Sequence, residues 1–138
     1  MTRLSLALLL GLAVTFAGCS APATDAIPAD VEVAVHMQDF KVLLSVATVK
    51  AGTVRFGIKN EGTMEHSFEL IKTDLPFDQL GMTADAKAKE DGLVKQVKSL
   101  PVGKVSVVAV DLAAGKYVII CNVAGHYQLG MRAALTVQ

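Results

Sequence analysis

Short runs of alternating apolar and polar residues recur along most of the chain, and this period limits what it can fold into. Val31, Val33 and Val35 alternate with Glu32, Ala34 and His36. Phe40, Val42, Leu44 and Val46 follow the same rule, then Val54, Phe56 and Ile58, then His66, Phe68 and Leu70. Further strand-like runs are Val105–Val110, Tyr117–Cys121 and Ala133–Val137. A period of two puts every second side chain on one face, the pattern of a half-buried strand. Gly52, Gly62, Gly103, Gly115 and Gly125 fall between the runs as turn residues. The pattern predicts an all-β fold, an antiparallel sandwich of roughly seven strands over residues 31–138. Residues 74–100 break it. Thr83–Glu90 is helix-prone, and Leu93, Val94, Val97 and Leu100 recur at helical spacing, so a short helical or irregular insertion is expected here.

The first 30 residues do not share the pattern. Arg3 precedes an apolar run from Leu4 to Val14, and small residues follow, which predicts a secretory signal over residues 1–18. A membrane-spanning helix would need about 20 apolar residues, and Gly18, Cys19, Ser20 and Pro22 arrive too early. Phe16-Ala17-Gly18-Cys19 resembles a bacterial lipobox, in which the Cys is acylated and becomes the mature N-terminus. Cleavage after Ala21 or Ala23 is the rival, and it would discard Cys19. Either way the protein is exported to the cell envelope, with residues 19–30 as a flexible tether. The expected form is lipid-anchored, periplasmic or on the outer face.

Charge and cysteine content narrow the function. The 138 residues carry 13 Lys and Arg against 13 Asp and Glu. Removing residues 1–18 takes away Arg3 alone among the charges and leaves −1, without the basic stripe that nucleic acid requires. Two cysteines cannot form an iron–sulfur cluster or an all-thiolate zinc site.

The chemistry concentrates in Cys121–Met131, which spaces a thiolate, an imidazole and a thioether as Cys121-x4-His126-x4-Met131 between two predicted strands. His66 opens another strand after a turn. Each alone reads most simply as core packing. Together, two imidazoles, a thiolate and a thioether suit copper, whereas zinc gains little from Met131. His36 has no companions and reads as a surface residue, and Met64 lies off the pattern.

In these residues the chain resembles the cupredoxin (type 1 blue copper) family over residues 31–138. The resemblance rests on Asn60-Glu61-Gly62-Thr63-Met64-Glu65-His66, on the Tyr117-x3-Cys121 strand, and on the gaps either side of His126. Those gaps are similar to the rusticyanin and sulfocyanin group. The resemblance implies a Greek-key sandwich holding one copper per chain. His66, Cys121 and His126 would be its strong ligands and Met131 its weak axial one, with the Glu65 carbonyl a candidate opposite Met131. It also implies a link across the site between Ser67 and Asn122, the residues after His66 and Cys121. Here their identities are exchanged relative to many relatives.

The expected function is one-electron transfer by a monomer, with redox proteins docking near His126 on a patch of Gly62, Met64, Ala124, Leu129 and Gly130. Copper delivery or buffering is the alternative, although no His or Met cluster is present. A copper enzyme would need a further metal centre, and three His leave no spare ligands. A two-copper centre would need a second Cys in the loop.

Overall fold

The computed structural model describes residues 25–138; the expected signal, Cys19 and the first part of the tether lie outside them. Among the described residues are nine strands and one short helix. The strands are β1 (Val33–Gln38), β2 (Lys41–Leu44), β3 (Thr48–Val49), β4 (Gly52–Asn60), β5 (His66–Lys72), β6 (Leu93–Leu100), β7 (Val105–Leu112), β8 (Gly115–Ile120) and β9 (Arg132–Val137). The helix α1 (His126–Leu129) lies between β8 and β9.

The strands form two sheets, ordered β2-β1-β4-β7 and β3-β9-β8-β5-β6. The sandwich expected from the alternation is therefore present. Most pairings are antiparallel, but β1 runs parallel to β4 and β3 parallel to β9. Inward-facing Val33, Val35, Met37, Phe56 and Ile58 of the first sheet meet Phe68, Leu70, Tyr117, Ile119 and Leu135 of the second in one core. Val31 and Ile27 cover Gly57 on the outer side of β4, where a Cβ would collide with Ile27. Asp25 bonds Lys104 at 3.0 Å, and Asp30 pairs with Arg55. The described end of the expected tether thus lies against the first sheet.

The excursion at 74–100 differs in kind from the expected helical insertion. Residues 74–92 are irregular, with one isolated bridge between Met82 and Ala88, and Leu93–Leu100 is strand β6. The helical spacing of Leu93, Val94, Val97 and Leu100 yields to the open edge of β5, whose backbone groups need partners. The irregular part has its own packing role. Leu80 and Ala88 join Ile71, Val118, Ile120 and Tyr127 in a second, smaller core on the outer face of the second sheet. That cover explains why all but the last residue of β5 are buried, on both faces of the strand.

Candidate metal centre

Three neighbouring strands of the second sheet bring the candidate residues to one end of the sandwich. His66 is the first residue of β5, and Cys121 follows the last residue of β8. His126 opens α1, and Met131 immediately precedes β9. The turn into His66 is built by Asn60. Its buried side chain donates to the carbonyls of Met64 and Leu100, both at 2.8 Å, and accepts the Gly62 N–H at 2.9 Å.

Nδ1 of His66 lies 3.8 Å from Cys121 Sγ, and Nδ1 of His126 lies 3.5 Å from it. The three donor atoms are all within 4.8 Å of one another. A nitrogen at ~2.05 Å and a sulfur at ~2.3 Å from a common first-row metal are separated by ~3.6 Å at a tetrahedral angle and ~3.8 Å at a trigonal one. The donor spacing therefore fits a single ion held by one sulfur and two nitrogens. His66 and Cys121 are fully buried and His126 is 8% exposed. Burial, together with the neighbouring His126, pushes the His66 pKa down and keeps the imidazole neutral, as a ligand must be. Burial also pushes the Cys121 thiol up, so a bound cation is what would stabilise its thiolate.

Met131 is buried in the same core cluster as Cys121. Its carbonyl accepts the Cys121 N–H at 3.0 Å, and its N–H donates to the His126 carbonyl at 3.0 Å, which closes the loop at its base. Met64 is exposed and its carbonyl serves Asn60. His36 sits at the surface, bonded to Glu61 at 2.8 Å.

Surrounding groups fix these side chains. The Ser67 N–H donates to Cys121 Sγ at 3.3 Å. The link between Ser67 and Asn122 exists, but through the backbone: the Asn122 N–H donates to Ser67 Oγ at 2.9 Å. The Asn122 side chain turns instead to the 74–92 excursion. It accepts the Ala88 N–H at 2.8 Å and donates to the Ala88 carbonyl at 3.0 Å and to Glu90 at 2.8 Å. Gly125 N–H reaches the Ala86 carbonyl at 2.8 Å. The Tyr127 hydroxyl accepts from Leu80 N–H at 2.9 Å and donates to the Phe77 carbonyl at 3.0 Å. The excursion is thus a brace for the ligand loop.

Sequence reasoning missed two residues here. Asp39 lies beside His66 Nε2, and Phe40 packs edge-on to the His126 ring with centroids 5.8 Å apart. Both come from the β1–β2 turn, where Phe40 takes a φ of 62°. Gly62 completes this corner, since a Cβ there would strike the Asp39 carboxylate and come within 2.6 Å of His66 Nε2.

A two-sheet sandwich with two imidazoles and a thiolate converging at one end is an architecture that can hold a metal ion. The chain matches the cupredoxin-like domain over residues 6–137, and it belongs to that family. Solved structures give the same fold. Reduced auracyanin from Roseiflexus castenholzii is 19% identical, with a TM-score of 0.55, and the match covers 76% of this chain and 94% of that one. Auracyanin B is 21% identical, with a TM-score of 0.55 and coverage of 77% and 87%. Rusticyanin from Thiobacillus ferrooxidans is 20% identical, with a TM-score of 0.54 and coverage of 77% and 75%. No curated protein matches the chain.

Proposed function

We propose that this protein is a mononuclear type 1 copper protein that carries one electron at a time between redox partners. The observation that carries the reading is the convergence of the His66, Cys121 and His126 donor atoms in a site walled off from water. Copper would be held by these three, with Met131 as the weak fourth ligand, and would supply a Cu(I)/Cu(II) couple. The chain's own part is to keep the donors still. Cys121, His126 and Met131 are joined by backbone hydrogen bonds, and the excursion holds Asn122, Gly125 and Tyr127 from outside. A rigid donor set suits electron transfer, because little has to move when the charge changes.

Burial of all three donors disfavours copper delivery or buffering, which works best with exposed, exchangeable ligands. Partners are proposed to dock over the His126 edge, where Phe40 and Leu129 are exposed, with the exposed Met64 as a further member of the patch. Export and lipid anchoring through Cys19 are proposed from the N-terminal sequence. Mass spectrometry of the mature N-terminus tests that point: an unmodified start at Pro22 or Thr24 would refute the lipid anchor.

Adding Cu(II) to the purified protein tests the central claim. An intense thiolate-to-copper band at about 600 nm is expected, lost in Cys121→Ala, with one copper per chain by metal analysis. A colourless protein would refute it.

A further inference from the structure

Glu69 is the one acidic residue of β5, and it lies on the face the excursion covers, 2% exposed. Its position in the sheet does not call for charge: Ile71, two residues on along the same face, is apolar, as are Val118 and Ile120 of the neighbouring strand. Burying a carboxylate without a cation is costly, and no ion pair to Glu69 is present among the described residues. The carboxylate is nonetheless held in one place. Oε2 accepts the Ser67 hydroxyl at 3.1 Å and the Asn122 N–H at 3.0 Å, and Oε1 accepts the Gln96 side chain at 3.4 Å. These bonds join it to the two residues that directly follow His66 and Cys121.

The Ser67 hydroxyl has one hydrogen to give. Its oxygen is 3.6 Å from Cys121 Sγ, close enough to donate to the sulfur. With that hydrogen engaged by Glu69, the Ser67 backbone N–H is what Ser67 offers to the sulfur. On its other side Glu69 floors a cavity of about 520 Å³, whose walls include Lys87, Glu90, Gln96 and Lys98.

We propose that Glu69 is a positioning residue for the metal centre: it draws the Ser67 hydroxyl away from the Cys121 sulfur, sets a negative charge behind it, and so holds the reduction potential down. The inference rests on the copper reading above. Both effects act in one direction. A hydrogen bond withheld from the thiolate leaves more electron density for the oxidised metal, and a nearby carboxylate favours the more positive oxidation state. Lys87 and Lys98 oppose the carboxylate from the cavity wall, and Glu90 reinforces it.

The test is the reduction potential of copper-loaded Glu69→Gln, measured at about pH 9. Burial pushes the Glu69 pKa up to about 7, so the wild-type carboxyl is ionised there. The variant is expected to keep the intense visible band and to favour Cu(I) at least tenfold more, an upward shift of ~59 mV. Gln96→Lys, which sets an ammonium against Oε1, should move the potential the same way, and it serves if Glu69→Gln does not fold. A blue variant whose potential is unchanged or lower would overturn the proposal and leave the copper reading standing. Absence of the band from the wild type would overturn the copper reading, and the role of Glu69 with it.

Discussion

Nε2 of His66 lies 3.2 Å from Oδ1 of Asp39, so the ring nitrogen that faces away from Cys121 is bonded to a carboxylate. Asp39 is itself fixed by Thr63, whose N–H donates at 3.0 Å and whose hydroxyl donates at 2.7 Å. The Thr63 hydroxyl and N–H, in that order, hold the Asp39 carboxyl below the usual carboxylate range. A partner of this kind sets the tautomer, leaving Nδ1 free as a donor, and raises the basicity of the imidazole.

Asp39→Ala should therefore weaken copper binding by about 10–100-fold, the usual cost of losing such a support. Competition with a chelator of known affinity reads this directly. Wild-type affinity in the variant would show that His66 is oriented by packing alone.

Glu69 makes the copper-free protein's stability depend on pH in an unusual sense. Burial raises its pKa from 4.5 to about 7, so between those values the folded state holds a proton that the unfolded state has released. The contribution is intact below about pH 4.5 and is lost as pH rises towards 7, up to ~3 kcal/mol in total. Urea unfolding of the apoprotein at a series of pH values should show this fall, and Glu69→Gln should flatten it. An equal pH slope in the variant would place the titrating group elsewhere.

Most strands were legible because alternation is local; that His66 joins Cys121 and His126, although 55 residues separate it from Cys121, was legible through the residue types and the family resemblance. Alternation reports which face of a strand is covered, and Cys121-x4-His126 fits a loop between adjacent strands. The parallel pairing of β1 with β4 was not legible, since alternation says nothing about partner or direction. Thr83–Glu90 has helical propensity, but Ala86 at a φ of 60° and the packing of Ala88 against the sheet keep it irregular. Asp39 gave no signal, because it lies outside the Asn60–His66 and Tyr117–Met131 segments that carry the resemblance. Glu69 alternates with Phe68 and Leu70 as a solvent-facing strand residue would, and the excursion that buries it leaves no mark in that local pattern.

The brace makes a prediction of its own. Tyr127→Phe removes the acceptor of the buried Leu80 N–H and the donor to the Phe77 carbonyl. An unsatisfied buried group costs ~1–3 kcal/mol, so the midpoint of urea unfolding should fall. Hydrogen exchange should rise at Leu80 first, because its amide loses its partner. Unchanged protection there would mean that the apolar contacts of Leu80 suffice to hold the excursion down.

Leu129 ends α1 three residues after His126 and is 61% exposed, while Phe40, 42% exposed, packs against the His126 ring from the first sheet. Apolar side chains left in water around the nearly buried His126 would suit a brief encounter, with small contact area and fast release. A charge placed among them would have to be desolvated at each encounter. Leu129→Lys should thus slow electron exchange with a physiological partner while leaving the visible spectrum as in the wild type, because the Leu129 side chain faces solvent. Stopped-flow mixing with that partner, alongside a small inorganic reductant as control, separates docking from the intrinsic redox step. Equal slowing with both reagents would assign the effect to the metal centre, and no slowing with either would remove Leu129 from the docking face.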